Sequence, residues 1–202
     1  MKKKLFVFLF MFMAGFCMNA QFHAGFTAGL NLSKMSHDGS TEGEVSCLGG
    51  QLRVPFNIGI IDEEPMKFSL QPEIVLSMKG TKSVNDSVAF TLNTHYAEIP
   101  FMFKAQYGTG VFRPFFNLGP YLGYHIMYYS VYKNGDDTNN SDPETPDKDY
   151  MNSMDAGLNL GAGFNASGFL FEIRYGLGFS DVYKDIKSKN RVLSFSMGFL
   201  LP

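Results

Sequence analysis

The sequence predicts an all-β fold, an eight-stranded antiparallel up-and-down transmembrane β-barrel, and three observations support that prediction. Long stretches alternate between large apolar residues and small or polar ones. No stretch after residue 20 is long and apolar enough to cross a membrane as a helix. The candidate strands are joined by connections that alternate between long and short. Residues two apart lie on one face of a strand, so strict alternation indicates strands with two different faces.

The clearest alternation runs from Phe169 to Ser180. One face carries Phe, Ile, Tyr and Leu side chains, and the other carries Glu172, Arg174, glycine and serine. Phe22–Ser33 repeats the pattern, with small and uncharged polar residues between the apolar ones. A soluble barrel has the reverse arrangement, with apolar bulk inside and charge outside. An apolar exterior around a polar interior is typical of a transmembrane β-barrel.

Eight segments are long enough to cross a bilayer as tilted strands, which takes about 9–11 residues. In the fourth segment the parity of the apolar residues reverses, which predicts a bulge near His95. Proline cannot donate to a strand ladder, so Pro72, Pro100, Pro114 and Pro120 must lie at bulges or rims or leave ladder bonds unmade. The eight predicted strands are Phe22–Ser33, Val45–Asn57, Lys67–Lys79, Phe90–Gln106, Phe112–Tyr132, Met154–Ala166, Phe169–Asp181 and Arg191–Leu201.

The connections between these strands predict the orientation of the barrel. Outer-membrane barrels have short periplasmic turns and longer extracellular loops, which here places both termini in the periplasm. Among the short turns, Ile58–Met66 is the longest and fits the rule least well. The predicted long loops are Lys34–Glu44, Gly80–Ala89, Lys133–Ser153 and Val182–Asn190, and the other short turns are Tyr107–Val111 and Ser167–Gly168.

Residues 1–20 are predicted to be a signal peptide, and residues 21–202 the barrel domain. Three lysines precede the apolar run Leu5–Met18, and a small residue allows cleavage between Ala20 and Gln21. A lipoprotein signal at Cys17 is the alternative, although Phe16 stands where a small residue is expected. Removing three of the 17 basic residues leaves 14 against 19 acidic ones. The net charge of about −5 and the lack of a basic stripe argue against binding nucleic acid.

Several segments resemble the outer-membrane β-barrel domain family common in Bacteroidetes, which includes PorT-like proteins. They occur in the family's order and cover nearly the whole chain after the signal peptide. The resemblance implies an outer-membrane address and an eight-stranded barrel, and it implies little about activity. The segments that resemble the family are Ala28–Ser33, Leu70–Glu73 running to Lys79–Gly80, Tyr96–Pro100, Gly119–Gly123 and Phe171–Gly178.

Seven charged residues are predicted to point into the lumen. An eight-stranded barrel is just wide enough for side chains to fill, so these groups should pair and hydrogen-bond with one another. We expect a polar plug that fixes strand register; a gated ion path or a proton relay is the functional alternative. The seven residues are Arg53, Glu73, Glu98, Lys104, Arg113, Glu172 and Arg174. The resemblance implies that Glu73, Glu98, Glu172 and Arg174 are architectural.

The segment Lys133–Ser153 is rich in aspartate, but its spacing matches no calcium loop. We expect a solvated, mobile extracellular loop, which is where ligand contacts would lie. His125 is predicted to point inward and His95 to lie near the bulge, but no serine and acid accompany them in the pattern of an activated nucleophile. Cys47 is the one cysteine after residue 20, so it cannot form a disulfide within the barrel domain.

Together these features predict a small, non-enzymatic outer-membrane barrel without a cofactor or metal, serving envelope structure or binding through its loops. Its expected partners are outer-membrane lipid, the barrel assembly machinery and an extracellular ligand held by Lys133–Ser153. An accessory role in protein export, suggested by the PorT-like resemblance, is the first alternative. A lipid-modifying enzyme is another. A soluble lipocalin-like carrier would need an apolar lumen, which the Glu-, Arg-, Gly- and Asn-rich faces oppose.

Overall fold

The computed structural model describes residues 22–37, 44–85, 88–134, 137–146 and 149–201. The predicted signal peptide, with its cleavage site at Ala20 and Gln21, lies outside these residues. Across the described part of the chain no helix is long and apolar enough to cross a membrane. The strands there are β1 (Phe22–His37), β2 (Glu44–Glu63), β3 (Met66–Asn85), β4 (Val88–Tyr107), β5 (Phe112–Asn134), β6 (Asp137–Asn140), β7 (Met154–Ala166), β8 (Phe169–Asp181) and β9 (Ser188–Leu200).

The strands close into a ring. Each strand pairs antiparallel with its neighbour in the order β1-β2-β3-β4-β5-β7-β8-β9, and β9 pairs back onto β1. The short β6 lies outside the ring and extends β5 as an edge strand. The predicted eight-stranded antiparallel up-and-down barrel is therefore confirmed.

Exposure follows the alternation that the sequence showed. On β8, Ile173 is 53% exposed on the outside, whereas Glu172 is 3% exposed on the inside. The same division holds on the other strands of the ring: the exposed large side chains are mostly apolar, and most of the fully buried ones are polar or charged. In water this would be an inverted protein, so the outer face must be solvated by hydrocarbon.

Several strands are longer than the alternation predicted. β2 reaches Glu63 and β3 begins at Met66, so the turn between them is Glu64–Pro65 instead of the expected Ile58–Met66. This connection therefore also fits the rule that periplasmic turns are short. The expected loop Gly80–Ala89 is mostly strand. Strand ends that project past the bilayer need no apolar face, so the ladder continues where the periodicity has ended. By contrast, β7 and β8 have the predicted bounds.

The predicted irregularities are also present. The β4–β5 register shifts between His95 and Tyr96, as the change of parity indicated. The β3–β4 pairing is interrupted opposite Pro100, and the β4–β5 pairing is interrupted opposite Pro120, with no change of register at either place. Proline has no N–H to donate, so ladder bonds are left unmade at these positions.

Part of the segment predicted as the loop Lys133–Ser153 forms strand. β5 extends to Asn134, and β6 pairs with the end of β5. Beyond β6, Glu144 forms a β-bridge with Tyr128 and accepts a 2.8 Å hydrogen bond from its hydroxyl. The described part of this segment therefore folds back against β5, where the composition had indicated a solvated loop.

Candidate functional site: the barrel lumen

The inner face of the barrel carries a group of five charged side chains, which we call the lower network. Each residue is at most 5% exposed. Period-2 alternation turns all five inward, and the antiparallel register brings them to neighbouring levels of the barrel. The members are Arg53 on β2, Glu73 on β3, Lys104 on β4, and Glu172 and Arg174 on β8.

Two arginines and two glutamates of the lower network form a closed ring of ion pairs. Arg174 binds Glu73 with both terminal nitrogens, at 2.7 and 2.8 Å, and its Nε lies 2.9 Å from Oε1 of Glu172. Arg53 completes the ring, with Nη2 2.9 Å from Glu172 and Nη1 3.6 Å from Glu73. Such bidentate geometry is what allows an arginine to bridge two carboxylates in a space that excludes water.

Neutral side chains add hydrogen bonds to the ring. The Arg53 guanidinium also donates to Thr27 and Ser196, Gln71 donates to Glu73 at 2.7 Å, and Asn117 donates to Glu172 at 3.0 Å. A Cβ at Gly161 would lie 2.6 Å from Oε1 of Glu172. The lumen glycine suits this position because the Asn117 amide and the Glu172 carboxylate occupy the space that a side chain would fill.

Lys104 gives the lower network its net charge. Its Nζ lies 3.3 Å from Oε1 of Gln71 and 4.0 Å from the centre of the Phe115 ring, and no described carboxylate lies within ion-pair distance. A cation over an aromatic face is stabilised by the ring quadrupole. With three cations and two anions, the lower network carries a net charge of +1.

A second group of charges, the upper cluster, lies closer to the end with the long loops. The Lys79 ammonium lies 2.7 Å from Glu98 and 2.9 Å from Asp155, between the rings of Tyr96 and Tyr121. Oδ2 of Asp155 also accepts hydrogen bonds from Tyr121 and Asn190. One cation and two anions give this cluster a net charge of −1, so the charges of the lumen balance overall.

Two of the three charged members of this cluster, Lys79 and Asp155, are not among the predicted lumen charges. Lys79 was placed at the very end of the third predicted strand and Asp155 at the start of the sixth, so neither was counted among the lumen charges. β3 actually continues six residues beyond Lys79. The signal that could have found them is their polar parity: both residues fall on the inward face of their strands.

In the described part of the barrel, the lumen has little open space between these groups, and apolar side chains lie above them. Between the lower network and the upper cluster lies a void of about 20 Å³, room for about one water molecule. Above the upper cluster, four buried apolar side chains form a cap against which Tyr128 and Tyr183 pack; the four are Met35, Leu92, Met151 and Val182. At the opposite end, a vestibule of about 740 Å³ opens between the short turns.

Arg113 is the one predicted lumen charge that does not join either group. It lines the vestibule, where its guanidinium lies 3.7 Å from Glu64 and donates to the Gly110 carbonyl, and its side chain is about a third exposed. Alternation gives the face of a residue but not its depth. Arg113 is the second residue of β5, so it lies at the rim instead of in the barrel interior.

A sequence profile described as the outer membrane protein β-barrel domain matches residues 18–184. The chain belongs to this outer-membrane β-barrel family. The match supports the small outer-membrane barrel that the resemblance implied, without distinguishing a Bacteroidetes or PorT-like subgroup. Membership places the protein in the outer membrane, which agrees with its apolar exterior. No curated protein matches the chain significantly in sequence.

Three solved structures are among those to which this outer-membrane barrel is similar. Ail, the attachment invasion locus protein of Yersinia pestis, in complex with the heparin analogue sucrose octasulfate, is 11% identical, with TM-score 0.44, over 90% of this chain and 99% of Ail. Neisserial surface protein A is 14% identical, with TM-score 0.41, over 87% and 96%. The outer membrane enzyme PagL is 10% identical, with TM-score 0.48, over 87% and 98%.

Two of the four histidines of this outer-membrane barrel lie in aromatic surroundings. His125 is buried and stacks on Tyr96 with 4.7 Å between ring centres, and His95 stacks on Tyr129 at 5.8 Å. Within the described residues, no serine hydroxyl is hydrogen-bonded to either imidazole. Nor does any group of three or more His, Cys, Asp or Glu side chains there have the geometry of a metal site. Cys47 is buried, with its Sγ 3.4 Å from Oδ1 of Asn93.

Proposed function

We propose that this outer-membrane protein is a non-conducting, non-catalytic barrel that anchors a polar binding platform at the cell surface. The observation that supports the proposal is the sealed lumen. A ring of ion pairs spans the interior from β2 and β3 to β8, and above it lie the upper cluster and the apolar cap, with a void of only about 20 Å³ between the ring and the cluster. Moving a solute through would require breaking buried ion pairs, each strongly stabilised by its partner.

The proposed platform is the end of the barrel that carries the long connections. There β3, β4 and β5 rise above the shorter strands, and β6 adds a fourth strand to this projection. β6 is an exposed polar edge strand, and its outer side is unpaired among the described residues. Polar, exposed segments held by a rigid scaffold are suited to ligand contacts. We infer that the segment Lys133–Ser153 provides them.

The closed lumen can be tested by conductance. The mature protein, refolded and reconstituted into planar bilayers, is expected to give no channel openings over the voltage range at which the membrane survives. A triple variant, Arg53→Ser, Glu73→Ser and Arg174→Ser, should conduct if the ring is the barrier, provided that its heat-modifiable gel mobility shows a folded barrel. Regular openings in the unmodified protein would contradict the proposal.

The orientation of the platform can be tested by protease digestion of intact cells. Because outer-membrane barrels place their long loops outside, cleavage is expected within Lys133–Ser153. The turn at Glu64–Pro65 should remain intact until the envelope is opened. The matched control is a version in which a protease site is inserted next to Pro65. Cleavage of that control on intact cells, with Lys133–Ser153 protected, would reverse the orientation and move the platform into the periplasm. We expect insertion itself to require the barrel assembly machinery.

A further inference from the structure

One sector of the outer face combines a hollow with a basic rim, and we call it the β1–β9 lipid face. The outward positions of β1 and β9 pair in rows. From the middle of the barrel toward the long-loop end, the rows are Ala28 with Met197, Leu30 with Phe195, Leu32 with Leu193, and Lys34 with Arg191. Three apolar rows are thus followed directly by a row of two basic residues.

The hollow has a volume of about 420 Å³ and crosses β1, β9, β8 and β7. The outward side chains that line it are all apolar. It exists because Ala28 on β1 and Ala162 on β7 occupy positions where their neighbours carry bulky side chains such as Leu30, Phe164 and Phe195. A depression in a surface otherwise covered by large apolar residues fits a flexible hydrocarbon chain, since hydrocarbon is the solvent of this face.

The basic rim is suited to a phosphate. Lys34 is exposed and forms no ion pair with a described acid. Nη1 of Arg191 donates to the carbonyls of Gly178 and Asn190, at 2.6 and 3.1 Å, which holds the guanidinium against the barrel wall with other N–H groups remaining. Directly paired residues have Cβ atoms about 5 Å apart, so both cations can reach one anion.

The charge around this rim remains positive when the next row is included. Lys189 on β9 pairs with Ser36 on one side and with Asp181 on the other. One oxygen of Asp181 is already engaged, because it accepts a hydrogen bond from the backbone N–H of Ser188. Among the described side chains of these two rows, three basic groups (Lys34, Lys189 and Arg191) therefore accompany one acidic group, Asp181, at the level where the apolar surface ends.

We propose that the β1–β9 lipid face binds a phosphorylated glycolipid of the outer leaflet, with a phosphate between Lys34 and Arg191 and an acyl chain in the hollow. The rim lies at the long-loop end, which is the outer-leaflet side. From Lys34 to Leu30 is four residues, or about 13 Å along the strand. A chain that descends from the headgroup past Leu32 and Leu193 therefore reaches the hollow. This inference concerns the outer wall and does not depend on the sealed lumen, but it rests on the proposed orientation, in which the long-loop end faces the outer leaflet.

The test uses the refolded mature protein in nanodiscs of phosphatidylcholine, titrated with bisphosphorylated lipid A or with the same lipid A after dephosphorylation. The unmodified protein is expected to prefer the phosphorylated lipid by about tenfold, because two charge-assisted contacts are made with one anion. A double variant, Lys34→Gln with Arg191→Gln, should lose that preference. The matched control, Lys82→Gln with Lys184→Gln, removes two basic residues away from the hollow and should keep it.

A second variant tests the hollow separately. Ala28→Leu fills it from an outward position, so the barrel should fold normally, as heat-modifiable mobility can verify. It is expected to lower the affinity for both lipids by a similar factor and to leave the preference for the phosphorylated lipid unchanged. If the unmodified protein binds both lipids within twofold, or the Lys34/Arg191 variant retains the preference, the phosphate site is overturned. If Ala28→Leu leaves both affinities unchanged, the hollow is not an acyl-chain site.

Discussion

The lower network and the upper cluster both bury charged side chains in the lumen, and they compensate the buried charge in different ways. The lower network uses arginine forks, so each guanidinium contacts both carboxylates and the ring closes on itself. The upper cluster uses one lysine, a compact point charge that two carboxylates approach while tyrosine rings cover its sides. Arginine suits a shared planar network, whereas a lysine ammonium suits a single centre.

The sign of the excess charge also differs, and this predicts different responses to the same kind of substitution. The lower network has an excess cation, so losing an acid there increases the imbalance. The upper cluster has an excess anion, so losing an acid there removes the imbalance. Buried charge is tolerated only when it is compensated. Neutralising an acid should therefore be much more damaging in the lower network than in the upper cluster.

Glu73→Gln is expected to have the largest effect. It removes the carboxylate that Arg174 grips with both nitrogens, and it leaves Arg53, Arg174 and Lys104 facing Glu172 alone. Breaking a buried pair by removing one partner destabilises a protein by about 3–5 kcal/mol. The measurement is urea-induced unfolding in phosphatidylcholine vesicles, followed by heat-modifiable gel mobility.

A double variant controls for this result. Adding Arg174→Met to Glu73→Gln restores the charge balance of the ring with an unbranched apolar side chain. It should recover part of the lost stability, because the uncompensated guanidinium is gone. If Glu73→Gln alone unfolds at the same urea concentration as the unmodified barrel, the ring of ion pairs does not stabilise the fold in the way described.

Asp155→Asn should have a smaller effect, about 1–2 kcal/mol from weakened hydrogen bonds. Lys79 keeps its 2.7 Å ion pair with Glu98, and the amide oxygen can still accept from Tyr121 or Asn190. The same unfolding assay checks it, and the informative quantity is the ratio of the two effects. Equal destabilisation by Asp155→Asn and Glu73→Gln would show that charge balance within each group does not govern stability.

The sequence predicts much of this arrangement but not all of it, for identifiable reasons. Alternation places Glu172 and Arg174 inward because their strand is bounded by turns and alternates without interruption. It cannot give depth, so Arg113 was grouped with the lumen charges although it lies at the rim. The alternation also ends before the strand does on β3, because the part of a strand beyond the bilayer has no apolar face. The predicted strand therefore stops at Lys79, whereas β3 continues to Asn85. Which cation meets which acid depends on register across four or more strands, which no local pattern encodes.

The smallest expected effect is that of His125→Phe, which tests whether the histidine beside the upper cluster has a polar role. Neither ring nitrogen of His125 has a well-formed hydrogen bond, and the ring stacks on Tyr96 below the apolar cap. Phenylalanine keeps the stacking and removes two buried polar atoms. We therefore expect the free energy of unfolding to change by less than about 1 kcal/mol, and to increase. Loss of several kcal/mol in the vesicle unfolding assay would instead assign the imidazole a polar role in the cluster, and His125→Gln would then be the variant that retains it.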